Sequence, residues 1–187
     1  MVESVDIWAV GLDPPDEEVR RLHRLLSSSE RARAGLPPFG PRKRRYVARQ
    51  GAVREILSAY LGVAAAQLDL RHTAWGRPFV AGHSEVCFSV ADSADLALVA
   101  VGRSPLGVDV ERIRARPIAS RSALRTSEFF ERWTKLEAVG KALGTGLRQP
   151  HRDERPFACL EIDLGPEFAA AVAVEAERAE VSVRPYR

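Results

Sequence analysis

Two short stretches hold residues whose types and spacing could do chemistry. They are GVDVERI, residues 107–113, and WTKLEAVGK, residues 133–141. In the first, Asp109 and Glu111 alternate with Val108 and Val110. On a strand, that spacing sends both carboxylates to one face while the valines enter the core. Two carboxylates held rigidly side by side suit a hard divalent cation that keeps its other positions for water and phosphate oxygens. Taken alone, the pattern describes a strand with a solvated acidic face equally well. The second stretch adds to it. Trp133, Glu137 and Lys141 recur every four residues, one side of a helix. As a surface pair, Glu137 and Lys141 would contribute only about 0.2–0.5 kcal/mol. Glu137 lies beside the apolar stripe of Trp133, Leu136 and Gly140, however, where a helix normally meets its sheet. Both charged groups would then be partly buried and in need of partners. A third carboxylate facing Asp109 and Glu111, with an ammonium alongside, makes a site for a metal and a phosphate group and provides a base, as phosphoryl transfer requires.

The elements that must position these groups can be read from the hydrophobic pattern. Val5–Val10 reads as a strand. After Pro14 and Pro15, with Asp16 able to cap, Val19, Leu22, Leu25 and Leu26 form a helical stripe. Ser27–Ser29 and Gly35–Pro41 read as loops. A longer helix runs from Arg42 to Leu61, stopped by Gly62. Leu68–His72, Val86–Val90 and Leu96–Val101 read as strands, with ADSAD as the turn between the last two. Beyond GRSPLG at 102–107, the expected hinge, Gly107–Ile113 is a strand and 118–126 has no clear assignment. Ser127 can cap a helix reaching Leu143, whose stripe is Phe129, Trp133, Leu136, Gly140 and Leu143. Strands are expected at Phe157–Leu164, Phe168–Glu175 and Val181–Tyr186. Each half is helical material plus about three strands. The expected fold is therefore α+β, two pseudo-symmetric lobes at 1–103 and 104–187, each a small antiparallel sheet packed on a long helix.

Composition excludes several classes. The 187 residues are 45% apolar and 28% charged, ordinary for a globular chain and unlike a disordered or collagenous one. No apolar run approaches the ~18 residues a membrane span needs, and MVESVDIWAV lacks the pattern of a signal peptide. Cys87 and Cys159 match no metal spacing and read as reduced core residues of a cytoplasmic protein. Of 28 basic residues only Lys43, Lys135 and Lys141 are lysines, and two of these fall in the 133–141 stretch. Lysine is a compact ammonium, whereas arginine favours bidentate contacts. The basic run Arg42-Lys43-Arg44-Arg45 opens a helix without any aromatic stacking platform, so it reads as a solvated face and not as a nucleic-acid surface.

GVDVERI followed by WTKLEAVGKALGTGL resembles the paired signature of the 4′-phosphopantetheinyl transferases, (V/I)-G-(V/I)-D-(V/I)-E and W-x-x-K-E-A-x-x-K-x-x-G-x-G-L. GRPFV at 76–80 is similar to that family's G-K/R-P segment, CFSVADSADLALVAV occupies the place of its F-N-x-S-H-S strand-turn-strand, and RRYVARQGAVREILSAYLG resembles its N-terminal helix. The resemblance spans most of 30–147 in family order and implies the larger, surfactin-synthetase-type class. It implies a monomeric, cytoplasmic enzyme that binds coenzyme A in a cleft between its lobes with Mg²⁺ on the diphosphate. The group transferred is 4′-phosphopantetheine and the acceptor a serine of an acyl or peptidyl carrier protein. Neither nucleic acid nor membrane is an implied partner. Carried over by position, Asp109, Glu111 and Glu137 would bind metal. Glu137 would also be the base, and Lys141 would hold the phosphates and ease departure of the leaving group. Arg77 would contact a coenzyme A phosphate, with Arg31 and Arg49 as partners of the 3′-phosphate. Coenzyme A carries about four negative charges, which such a set would offset.

The chain departs from the family pattern at several points. Asp92 stands where the family has the histidine that meets the phosphates, and Ala91 replaces the serine before it. A carboxylate ~4 Å from a phosphate costs on the order of 4 kcal/mol at an effective dielectric of 20 unless a cation intervenes. Asp92 must therefore point away, join the metal shell, or weaken coenzyme A binding. His83, in GHS, lies before the strand and out of register. Leu136 replaces the lysine beside Glu137, and the interval from Glu111 to Trp133 is short, leaving Glu128 as the candidate for an accessory acid. These departures leave a second reading open, a degenerate or repurposed relative that binds coenzyme A or a carrier protein without transfer.

Overall fold

The structure is a computed structural model that describes residues 2–114, 126–144 and 156–186. It is a mixed α+β fold, as the hydrophobic pattern predicts. Strand β1 (Val2–Gly11) leads to helix α1 (Asp16–Leu25), whose first turn holds Asp16, Glu17 and Glu18 and whose last turn holds His23 and Arg24. That charge order complements the helix dipole. Pro15 is its N-cap and makes no side-chain bond, so Asp16 begins the helix rather than capping it. The serines expected as loop instead start a further helix, α2 (Ser28–Ala34). Ser27 and Glu30 form a reciprocal capping box: the Glu30 N–H donates to Ser27 Oγ at 3.3 Å and the Ser27 N–H donates to Glu30 Oε2 at 2.8 Å. Helix α3 (Pro41–Leu61) begins with proline in its first turn and ends at Gly62, where φ is +65°.

A 3₁₀ turn at Ala65–Gln67 precedes the hairpin β2 (Leu70–His72) and β3 (Pro78–Val80), the second strand having no counterpart in the sequence reading. Strands β4 (Cys87–Ser93) and β5 (Leu96–Gly102) follow. Only Ala94 and Asp95 connect them, with φ of +56° at Ala94, so Asp92 is a strand residue and not part of a longer turn. After β6 (Leu106–Arg112) come α4 (Thr126–Leu143), β7 (Phe157–Glu161), β8 (Phe168–Glu175) and β9 (Arg178–Pro185). The segment 118–125 falls outside the described residues.

Besides the two-stranded β2-β3 sheet, the described strands form two larger sheets, one ordered β4-β5-β1-β9 and the other β6-β8-β7. The neighbours are antiparallel except β1 and β9, which run parallel with Val5 opposite Val181. The last strand thus closes the edge of the first sheet. Three buried clusters give the layering. Val19, Leu22, Val47, Ile56 and Leu57 from α1 and α3 cover Val99 and Val101 on one face of the first sheet. Val5, Ile7, Leu98 and Ala100 on its other face meet Val108, Val110, Val172 and Val174 of the second sheet. Ala138 and Ala142 of α4 cover Ala171 and Ala173. The order is helices, sheet, sheet, helix.

Helix α4 is turned relative to its expected stripe. Thr134, Ala138 and Ala142 face the sheet, while Leu136 is 51% exposed and Trp133 only half-buried. Close approach explains this. A Cβ on Gly107 would lie 2.1 Å from the Ala138 carbonyl oxygen, and β8 presents Ala169, Ala171 and Ala173 to the helix side. Backbones this close leave room for alanine but not for tryptophan or leucine. Cys159, expected in the core, is exposed on the edge strand β7, and Cys87 is half-buried on β4.

Candidate active site

The tight contact of β6 with α4 brings two of the sequence-predicted groups, Asp109 and Lys141, together. On β6, Gly107, Asp109 and Glu111 share the face opposite the valines that fill the core. Gly107 lets α4 close onto that face, and Lys141, one turn beyond Glu137, then lies over Asp109. Its Nζ donates to Asp109 Oδ1 at 2.7 Å and to the Val108 carbonyl at 3.0 Å. An ammonium has three N–H donors, and these contacts use two.

Asp109 is buried, and its Oδ2 has no hydrogen-bond partner among the described residues. Burial pushes its carboxyl above the usual aspartate range, the Lys141 ammonium opposes that shift, and the carboxylates of Glu111 and Glu137 add to it. Those two acids therefore stand close enough to be felt at Asp109. Glu111 Oε2 accepts from Ser93 Oγ at 2.9 Å. The same hydroxyl accepts from the Arg112 N–H at 3.0 Å, and Ser89 Oγ accepts from the Val108 N–H at 3.1 Å. Two edge N–H groups of β6 are thus satisfied by hydroxyls of β4, not by a backbone ladder. Among the described residues no group of three or more carboxylate, histidine or cysteine side chains stands in metal-ligand geometry. The hard-oxygen donor set and the orphaned Asp109 Oδ2 nevertheless fit a divalent cation.

A groove opens beside the pair. One compartment, about 150 Å³, is lined by Trp75, Gly76, Arg77, Ser89, Lys141 and Gly144, among others. Arg77 is held in a closed turn, its N–H donating to Thr73 Oγ1 at 3.1 Å and its carbonyl accepting from the Thr73 N–H at 2.9 Å, with Gly76 at φ of +86°. Its guanidinium Nη2 lies 3.9 Å from Cys87 Sγ. A second compartment, about 210 Å³, is lined by Arg49, Gln50, Leu70 and His72. The two share Gly76, Pro78, Phe88 and Val90 and therefore adjoin.

Phe88, Val90 and Asp92 alternate along the α3-facing side of β4, and Asp92 is ion-paired with Arg49. Asp92 is not among the residues that line either compartment; its partner is the Arg49 guanidinium. Arg31, on α2, donates to the Leu26 carbonyl and lines neither compartment. His83 is bonded to Glu85 at 2.9 Å, and Lys135 to Glu161 at 2.5 Å. Sequence reasoning missed Ser89, Ser93, Trp75 and the closeness that Gly107 permits. The serines, four apart on a strand and so on one face, were the legible signal.

No family model matches the chain. A search of curated proteins does find relatives. The chain is 32% identical over 167 residues to the 4′-phosphopantetheinyl transferase HetI of Nostoc sp. (strain PCC 7120 / SAG 25.82 / UTEX 2576), covering 78% of this chain and 70% of that protein. The chain belongs to the 4′-phosphopantetheinyl transferase family. Two further 4′-phosphopantetheinyl transferases are similar. The gsp protein of Aneurinibacillus migulanus is 26% identical over 52% of this chain and 47% of its own length, and the psf-1 protein of Bacillus pumilus is 25% identical over 75% of this chain and 70% of its own. The phosphopantetheinyl transferase resemblance carried by residues 107–113 and 133–147 thus extends over most of the chain. No helix among the described residues is long and apolar enough to cross a membrane.

Proposed function

We propose that this chain transfers 4′-phosphopantetheine from coenzyme A to a serine hydroxyl of an acyl or peptidyl carrier protein. The observation that supports this best is the Lys141–Asp109 pair, 2.7 Å apart, at one end of a groove that Arg77 also lines. Lys141 would hold the diphosphate and stabilise negative charge on the leaving oxygen with its remaining donor. Arg77 would bind a phosphate oxygen from the opposite wall. Glu137 would take the proton of the serine hydroxyl as its oxygen attacks the phosphorus that carries pantetheine. The bond from that phosphorus to the bridging oxygen breaks, and adenosine 3′,5′-bisphosphate leaves.

Asp109, Glu111 and Glu137 would hold Mg²⁺, which would supply charge neutralisation at the diphosphate. The fit rests on the orphaned Asp109 Oδ2, since a bound cation favours the ionised carboxylate that burial otherwise disfavours. We assign 1–103 and 104–187 as lobes joined near 102–107, with β9 returning to the first sheet, and expect a cytoplasmic monomer. Binding without transfer is the less favoured alternative, because the chain keeps the lysine and the three acids that transfer would use and its relatives are transferases.

The test is incubation of the protein with apo carrier protein, coenzyme A and Mg²⁺, with the carrier weighed by mass spectrometry. A phosphopantetheine adduct on the carrier serine is expected. Coenzyme A binding without any adduct overturns the proposal in favour of a binding-only relative.

A further inference from the structure

We infer that Asp92, by occupying the Arg49 guanidinium, makes this chain nearly indifferent to the 3′-phosphate of its coenzyme A donor, so that 3′-dephospho-coenzyme A serves almost as well. The inference rests on the reading of coenzyme A as donor. With the diphosphate at Lys141 and Arg77, pantetheine must lie on the side from which the acceptor serine arrives, because it departs with that serine. The nucleotide is then left to extend along the groove into the second compartment, where Arg49 is the lining arginine.

Arg49 is held in place there. It stacks 5.9 Å from the Tyr46 ring, its Nε is buried, and its Nη1 donates to Asp92. Asp92 follows Phe88 and Val90 on the same face of β4, about 6–7 Å beyond Val90 along the strand. Arg49 lines the second compartment, and Asp92, 41% exposed, reaches its edge through the ion pair with that guanidinium. A carboxylate at this point neutralises the one arginine among the described lining residues, repels a phosphate monoester, and accepts hydrogen bonds from a free ribose hydroxyl. Dinucleotide sites divide on the same chemistry: an acidic residue reads an unmodified ribose and an arginine reads its phosphate. Here both are present and paired to each other, which cancels the preference.

The experiment is carrier loading with two donors, coenzyme A and 3′-dephospho-coenzyme A, by wild type and by Asp92→Asn. The ratio of kcat/KM for the two donors is expected to lie within about tenfold for wild type. Freeing Arg49 to make a charge-assisted bond should raise that ratio by about tenfold or more in favour of coenzyme A in Asp92→Asn. A wild-type preference for coenzyme A beyond about tenfold overturns the inference, and so does a ratio that Asp92→Asn leaves unchanged. The wild-type arm needs no variant to fold. Absence of loading from coenzyme A itself is a different result: it sinks the transferase reading and this inference with it.

Discussion

Two ion pairs in this molecule, each with one buried partner, look alike in a contact map and differ in kind. Arg54 of α3 and Glu30 of α2 meet at 2.7 Å, and neither has a buried side-chain N or O atom without a partner. Arg54 Nη1 also donates to the carbonyls of Ala65 and Leu68, and Glu30 accepts from Gln50 and from the Ser27 N–H. Burial works against the Glu30 carboxylate, but Arg54, the Ser27 N–H and Gln50 outweigh it and hold Glu30 below the usual glutamate range. Lys141 and Asp109 also meet at 2.7 Å, yet Asp109 keeps a buried oxygen without a partner and its carboxyl lies above the aspartate range. The first pair is satisfied and pins α2, α3 and the following turn together. The second is left unsatisfied beside an open groove, the condition expected where a ligand or ion completes the set.

The comparison can be broken at four points. The largest effect is expected at Arg54. Arg54→Met leaves Glu30 and two carbonyls buried without their donor and should cost about 3–5 kcal/mol in urea unfolding. A loss under about 1 kcal/mol would mean that the pair does not hold the helices. Next is Lys141→Met, which should lower the single-turnover rate of carrier loading by about 10²–10³. Its cost in stability should stay below that of Arg54→Met, because Asp109 relieves its burial by taking a proton.

Gly107→Ala comes third. The new methyl must displace the Ala138 carbonyl, an overpacking of about 1–3 kcal/mol. Loading should fall along with the melting temperature, since Asp109 and Lys141 are carried apart; full loading in a destabilised variant would separate the two. The smallest effect is in pH dependence. A carboxyl raised in the folded state binds its proton more tightly there than when unfolded, so its contribution declines as pH rises through the folded value. Asp109 should therefore disfavour folding progressively above the ordinary aspartate range. Glu30, lowered, contributes above its unfolded value and loses that contribution as pH falls. Urea unfolding across pH 3 to 7 should show the stability of Asp109→Asn rising relative to wild type with pH. That of Glu30→Gln should fall relative to wild type over the same range, and parallel curves would remove the distinction.

Much of this protein is legible in its residues. Alternation along 107–113 placed Asp109 and Glu111 on one face, and the spacing of Glu137 and Lys141 put both on one side of a helix, because periods of 2 and 3.6 follow from backbone geometry alone. Gly62 and Gly144 mark helix ends for the same local reason, with φ of +65° and +76°. Other features needed the partner surface. The apolar stripe of α4 pointed to Trp133 and Leu136 as the packing face, yet alanines on β8 and the missing side chain of Gly107 bring the backbones so close that Thr134, Ala138 and Ala142 pack instead. That rotation is what lays Lys141 over Asp109. The capping box at Ser27 was local, and S-x-x-E could have revealed it. The pairing of Asp92 with Arg49, residues 43 apart in the chain, was not local. Sequence determined which residues share a face of their own strand or helix. Only the tertiary structure decided which faces meet, because that choice depends on how closely two surfaces of particular side-chain volumes can approach.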